Sequence, residues 1–345
     1  MVMPAPQHFD ALLLVSFGGP ENTEDVIPFL ENVLRGRNVP RERMLEVAGH
    51  YYHFGGKSPI NEQNRALIAA LETELRANGL ALPVYWGNRN WHPMLAETVR
   101  RMRADGIRSA LAFATSAFGS YSGCRQYQED IDRALAAVGP GAPEIRKLRP
   151  FPDHPGFIEA AAGRVRGALD QIPESRRARA ELIYTAHSIP CSMAAASPYV
   201  RQLEEACRLV SEAVGHAGSL VYQSRSGPPT QPWLEPDVCD RIRQLHASGI
   251  GDLVLAPIGF LSDHMEVVYD LDTEAAALCR DLGIQMTRAE TVGVHPAFVS
   301  AIVEMIREQT EGLAPRRVGS PSHETCGPEC CPRPARPPAA SGGGR

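Results

Sequence analysis

The sequence predicts an α/β protein of two doubly wound lobes, each a mostly parallel sheet with helices on both faces and a cleft between the lobes. Short apolar runs rich in Val, Leu and Ile alternate with segments of helical periodicity. This strand–helix set occurs twice. The two sets are separated near residues 138–155 by a stretch carrying Gly139, Pro140, Gly141, Pro143, Pro150, Pro152 and Pro155, the composition of a linker. A chain of 345 residues is long enough to bury two cores of ordinary size.

The first expected strand is Ala11–Phe17, closed by Gly18-Gly19-Pro20. Asn61–Asn78 repeats apolar residues at helical spacing and stops at Gly79. Pro83–Trp86 and Ser109–Thr115 are the next strands, with the helical segment Met94–Asp105 between them. The second set has strands at Leu182–His187, Ser219–Gln223 and Asp252–Ile258, and a weaker one around Gln285–Thr287. Its helices are Pro155–Ile172, Tyr199–Val214, Asp237–Ser248, Thr273–Leu282 and Pro296–Gln309. The expected division is 1–150 for the first lobe, 151–316 for the second and 317–345 for a cysteine-containing tail. From Pro332 onward the tail is mostly Pro, Ala, Gly and Arg, too poor in apolar side chains to build a core, and disorder is expected there.

Composition excludes several classes. With 43% hydrophobic and 22% charged residues the chain is globular rather than disordered. A net charge of -5, with both signs interspersed, is wrong for a protein whose main partner is nucleic acid. The longest apolar runs, such as Ala11–Val15 and Leu253–Ile258, are far short of the roughly 20 residues a membrane-spanning helix needs. The start, Met1-Val2-Met3-Pro4-Ala5-Pro6, has neither the basic nor the apolar region of a secretory signal, so the expected location is cytoplasmic.

In doubly wound folds ligands bind beyond the C-terminal ends of the strands. Tyr184-Thr185-Ala186-His187-Ser188-Ile189-Pro190 ends a strand on a histidine. Such a side chain is either a base or metal ligand facing the cleft, or a core histidine bonded to backbone. After the strand Asp252–Ile258, Ser262 or Asp263 is the expected N-cap of a helix. Along that helix Glu266, Asp270 and Glu274 recur every four residues and are expected on one face. Compensation of the helix dipole accounts for acids in the first turn only. A row continuing to Glu274 suits a path for a hydrated divalent cation, and imidazole with carboxylate suits ferrous iron. The glycine-bearing segments Ser16–Pro20 and Phe54–Pro59 match neither the dinucleotide nor the phosphate-loop pattern, and Pro20 prevents an amide nest.

Taken together, Leu13–Pro20, Gly55–Asn61, Thr185–Pro190, Tyr222–Arg225 with Gly227-Pro228, Trp233–Pro236 and Pro257–Glu266 resemble the ferrochelatase family, in order, across roughly residues 11–310. The resemblance implies the chelatase fold, two Rossmann-like lobes around a porphyrin cleft. It makes His187 and Glu266 the catalytic pair that binds iron or takes pyrrole protons. It makes His264, Asp270 and Glu274 the supporting metal path, and Ser58, Tyr127, Arg35 and Arg37 the porphyrin contacts. Some bacterial members carry a tyrosine where this chain has Phe17, so that oxygen is missing here. Similarity to actinobacterial members implies coproporphyrin III as substrate, with protoporphyrin IX the alternative. A porphyrin or heme carrier and a cobalt chelatase are the rival readings. Intact His187 and Glu266 favour an enzyme, and the cysteine tail with the Gly55–Asn61 segment favours iron. The expected partners are a porphyrin and Fe²⁺, with no nucleic acid and no transmembrane segment, in a monomer or homodimer.

Eight cysteines in a chain of this kind do not suggest a disulfide framework. Cys191, Cys207, Cys239 and Cys279 lie singly and read as small buried hydrophobes. Cys326, Cys330 and Cys331 fall within six residues, where Pro328 and Pro332 keep the backbone irregular, and close thiolates suit a soft metal or an iron–sulfur cluster. The family resemblance implies a [2Fe–2S] cluster on these three and on Cys124, following the bacterial rather than the animal spacing. A structural zinc site and a reactive tail are the alternatives.

Overall fold

The protein is described here from a computed structural model that covers residues 7–36, 39–228, 230–319 and 330–333. The first half runs β1 (Ala11–Ser16), α1 (Val26–Leu34), α2 (Arg41–His53), α3 (Ile60–Ala77), β2 (Val84–Asn88), α4 (Leu95–Ala104), β3 (Ser109–Ala114), a π-helical turn (Tyr121–Arg125), α5 (Gln126–Val138) and β4 (Glu144–Lys147). The second half runs α6 (Pro155–Leu169), α7 (Glu174–Arg177), β5 (Glu181–His187), α8 (Cys191–Ala195), α9 (Tyr199–Val214), β6 (Gly218–Gln223), α10 (Val238–Ala247) and β7 (Asp252–Ala256). It continues through α11 (Met265–Tyr269), a π-helical segment (Asp270–Ala275), α12 (Ala276–Leu282), β8 (Gln285–Arg288) and α13 (Pro296–Thr310).

The strands form two four-stranded sheets, ordered β2-β1-β3-β4 and β6-β5-β7-β8, with every pairing parallel. The second sheet thus repeats the order of the first. In each, the order reverses between the first and third strands, which makes the C-terminal ends of β1/β3 and β5/β7 the switch points. Alternation along the strands explains the burial. Leu12 and Leu14 face one core, together with Leu182, Tyr184 and Phe298, whereas Leu13 and Val15 face a second with Val99 and Ile131. Ile183, Leu253 and Leu255 face a third. The first of these cores spans both sheets, because α13 returns from the end of the chain to pack on α3 and α6.

The expected strands are all present, with ends moved by up to two residues. The stretch expected to be only a linker contains β4, whose sequence Glu-Ile-Arg-Lys is polar at all but one position, as its place at a sheet edge allows. The helices α1, α2 and α5 were also not expected from periodicity. Cys191 is exposed at the start of α8 rather than buried, whereas Cys207 and Cys279 are buried and Cys239 is partly so. No helix among the described residues is long and apolar enough to cross a membrane. The predictions for Arg37, Cys326 and residues 334–345 lie outside the described residues.

Candidate active site at the second switch point

β5 and β7 lie side by side, and the chain leaves both at the same end. Gly259 permits this: its amide bonds to Thr185 O at 3.0 Å, and a Cβ there would lie 2.7 Å from Ala186 Cα. The loop after β7 can therefore close over the end of β5 and bring α11 against His187.

The structure joins the two residues expected to be catalytic. His187 Nε2 lies 3.4 Å from Glu266 Oε1. On its other side His187 Nδ1 meets the Ser188 carbonyl, and the Tyr199 hydroxyl donates to the His187 carbonyl at 3.0 Å. The pair is reached from solvent, with side-chain exposures of 29% and 47%. Burial alone would drive the proton off His187. The Glu266 charge and hydrogen bond, with the Ser188 carbonyl, outweigh it and lift the imidazole from 6.5 to about 9. For Glu266 burial opposes ionisation, but His187 and then His264 dominate and bring the carboxyl down to about 2. As it stands the site is an imidazolium–carboxylate pair.

His264 serves the helix rather than standing free. It is the N-cap of α11, its Nδ1 accepting from the Glu266 amide at 3.2 Å. The expected caps do other work. Asp263 takes Arg288 at 3.1 and 3.2 Å and gives its own amide to Gln63 Oε1 at 2.8 Å. Burial pushes the His264 pKa down, against the Glu266 charge and with the His187 charge.

The acidic row is present but does not lie on a plain α-helix. The π-helical segment Asp270–Ala275 follows α11 directly. A π turn holds more than four residues where an α turn holds 3.6, so the four-residue spacing matches this backbone better than the expected one. Glu266 and Glu274 are exposed and Asp270 between them is half-buried. Burial pushes Asp270 up to about 7, helped by the charges of Glu266 and Glu274 and opposed by the Ser224 hydroxyl and His187. Glu274 is raised by burial and by Asp237.

Two positioning residues were not singled out from the sequence. Gln223, at the end of β6, donates to Glu266 O at 2.8 Å, and the Ser224 hydroxyl donates to Asp270 Oδ2. Ser224 has φ +62°, which a non-glycine residue rarely adopts and which is typical of functional sites. His50 of α2 stacks on Tyr269 with centroids 3.6 Å apart, joining the first half of the chain to the same helix.

The expected porphyrin contacts are less uniform. Tyr127 does not face an open cleft. It is buried among Ile131 and Val99, with the Arg89 guanidinium 4.6 Å over its ring and the same group 5.7 Å from Phe17. Ser58 is buried too, its amide bonded to Pro20 O at 2.9 Å beneath the first switch point. Arg35 is exposed just after α1.

At the far end of the chain, residues 330–333 dock on the π turn and α5. Arg333 pairs with Glu129 at 2.7 Å and lies over the Tyr121 ring. Cys330 and Cys331 have their sulfurs 3.7 Å apart, and Cys124 lies in the π turn beneath.

A family model described as Ferrochelatase matches residues 9–310. The chain belongs to the ferrochelatase family. It is 57% identical over 341 residues to a ferrochelatase of Rhodopirellula baltica, covering 97% of each chain. It is 54% identical over 348 residues to a coproporphyrin III ferrochelatase of Nocardia farcinica, covering 96% of this chain and 99% of that one. Among solved structures, SirB from Bacillus subtilis with Fe³⁺ aligns at a TM-score of 0.54 and 12% identity, covering 88% of this chain and 96% of that one. A cobalt complex of the sirohydrochlorin chelatase SirB from the spizizenii subspecies aligns at 0.51 and 14%, with the same coverage. These likenesses carry the chelatase fold. Ferrochelatase sequence similarity spans nearly the whole chain, including both strand-end motifs.

Proposed function

We propose that this ferrochelatase inserts Fe²⁺ into coproporphyrin III, giving coproheme in heme biosynthesis. The observation that carries the reading is the His187–Glu266 pair at the β5/β7 switch point, with Asp270 and Glu274 following Glu266 along the same helical stretch. The choice of porphyrin is supported by relatives named for coproporphyrin III, that of Nocardia farcinica among them.

Metalation requires two pyrrole protons to leave and the metal to shed water. A macrocycle held bent exposes nitrogen lone pairs on one face. Glu266, already ionised, is the group that meets the cation. His187 holds a proton while Glu266 faces it. It can accept one from a pyrrole only once the carboxylate turns its charge to iron. Asp270, poised near neutrality and held by Ser224, can exchange protons or hydrated Fe²⁺ along the row. Glu274 is the outer step, and His264 fixes Glu266 through the cap. Ser58, Tyr127, Arg35 and Arg37 are retained as porphyrin-facing candidates, with Tyr127 acting through Arg89 rather than by direct exposure. Steady-state metalation with each porphyrin tests the assignment. Higher kcat/KM with coproporphyrin III is expected, equal or higher values with protoporphyrin IX would favour the alternative substrate, and tight binding without turnover would favour a carrier.

Cys124, Cys326, Cys330 and Cys331 are proposed to hold a [2Fe–2S] cluster. In support of this, Arg333 holds the docked tail on Glu129, and the same tail carries Cys330 and Cys331 beside the π turn that contains Cys124. Gly123 keeps that turn tight, since a Cβ there would lie 2.8 Å from the Phe118 carbonyl oxygen. The described residues alone do not form a group of three or more metal-binding side chains, and Cys326 is the fourth ligand the reading requires. When bound, the cluster would supply one-electron redox capacity; since metalation is not a redox reaction, its role is structural or regulatory. A cysteine content that does not suggest a disulfide framework suits the cytoplasm, the proposed location.

A further inference from the structure

Near its start α3 is polar at four successive positions, Asn61-Glu62-Gln63-Asn64. Three of these side chains find partners in the first half of the chain. The Asn61 amide donates to the Gly19 carbonyl at 3.0 Å and the Asn64 amide to the Ser16 hydroxyl at 2.9 Å, so both hold the end of β1. Glu62 takes the Lys57 ammonium at 2.7 Å on the exposed side. Gln63 leaves the helix in another direction, because successive helical residues are turned by about 100°. Its Oε1 accepts from the Asp263 amide at 2.8 Å, 200 positions further along the chain. This one turn of α3 therefore ties the end of β1 to the loop that follows β7.

The loop matters because of what it carries. Asp263 immediately precedes His264, the N-cap of α11, and its carboxylate is turned to Arg288 of the second half while its amide faces α3. On α11, Met265 packs in an apolar cluster with Phe29 and Tyr51 from the first half, and Val267 packs in another with Leu253 and Leu255 of the second sheet. Glu266 stands between them and meets His187. Its direction is thus set by how α11 is seated between the two halves. Apolar contacts such as that of Met265 are non-directional, whereas the Gln63–Asp263 bond fixes both a distance and an angle three residues from the carboxylate. We propose that Gln63 is a positioning residue for metalation, holding the loop before α11 so that the Glu266 carboxylate stays aligned with the first switch point. The inference rests on the role given above to Glu266.

The test uses the full chain as wild type, Gln63→Leu and Gln63→Glu, with Fe²⁺ and coproporphyrin III in the absence of oxygen. Leucine fills the space without an acceptor, and glutamate keeps an oxygen at the same reach. The readouts are kcat, the KM for Fe²⁺, porphyrin affinity from absorbance, and Tm. Acting through Glu266, Gln63→Leu should lower kcat roughly five-fold, the scale of one net hydrogen bond, and leave the iron KM, porphyrin affinity and Tm near wild type. Gln63→Glu should return kcat toward wild type. If Gln63→Leu does not fold, Gln63→Asn, whose acceptor is one methylene short, is measured with the same outcomes. Unchanged kcat in the variant that lacks the acceptor, no recovery in Gln63→Glu, or a loss of kcat matched by a loss of porphyrin affinity or Tm would overturn the positioning role. Normal turnover in Glu266→Gln would instead remove the reading of the His187–Glu266 pair on which it rests.

Discussion

His187 and Glu266 are each defined by the other. Neither pKa would stand where it does without its partner, since burial opposes the charged form of both. His187→Ala removes the imidazole that meets the Glu266 carboxylate at 3.4 Å and should cost about 10²–10⁴-fold in metalation. Porphyrin binding followed by absorbance should persist, and near-normal turnover would end the proposed role. The same pair makes stability depend on pH. Glu266, depressed on folding, contributes above its unfolded value of 4.5 and loses that contribution as pH falls toward 2. His187, raised on folding, contributes fully below 6.5 and loses that contribution as pH rises through about 9. Denaturation midpoints measured at pH 6 and pH 9 should therefore fall more in wild type than in Glu266→Gln, which has no charge to hold the proton. A parallel fall in both proteins would show that the pair does not couple to folding.

At the scale of elements, the backbone of the acidic row decides how its members differ. Glu266 sits on α11 at the pair, while Asp270 and Glu274 lie on the π-helical segment that follows it. Glu266→Gln should lower kcat strongly. Asp270→Asn and Glu274→Gln should mainly raise the apparent KM for Fe²⁺. Identical behaviour of all three, or an effect on porphyrin affinity alone, would remove the path. Ser224→Ala belongs to the same test: it takes away a hydrogen bond that favours ionised Asp270 and should shift the pH dependence of the iron KM upward. The row was legible as spacing, but the π backbone was not, because four-residue intervals read as an α-helix until the hydrogen bonds are seen. Buried parallel strands were legible because they are near-continuous apolar runs such as Leu12-Leu13-Leu14-Val15. β4 was not, because an edge strand buries little and offers only Ile145 as an apolar residue. The N-cap was misread for a tertiary reason: Arg288, distant in sequence, claims Asp263 and leaves the cap to His264.

At the scale of the whole molecule, the chain ends are tied back to the first sheet. α13 packs on α3, and the buried Arg149 makes two 2.8 Å bonds to Glu308 while Asp153 takes Arg317 at 3.2 Å. The Asp153 carbonyl accepts from Val318 at 2.8 Å, so the segment that leaves α13 is anchored beside the strand-connecting stretch that carries Arg149. Residues 330–333 then dock on Tyr121 and Glu129. This routing makes the proposed cluster a cross-link between residue 124 and the end of the chain, closing a loop of roughly 200 residues, for which the chain-entropy argument predicts a larger gain than for a short loop, growing only logarithmically. Cys124→Ser, Cys326→Ser, Cys330→Ser and Cys331→Ser should each lose the visible absorption and lower Tm. Cys191→Ser, Cys207→Ser, Cys239→Ser and Cys279→Ser should keep the absorption, since these residues lie singly in α8, α9, α10 and α12 and are not among the proposed ligands. The wild-type protein, purified without oxygen, should contain about two irons and two labile sulfides per chain. One zinc with no labile sulfide would replace the cluster with a structural metal site. An intact cluster in Cys124→Ser would move the fourth ligand off the π turn, and the cross-link to the first sheet would have to close elsewhere.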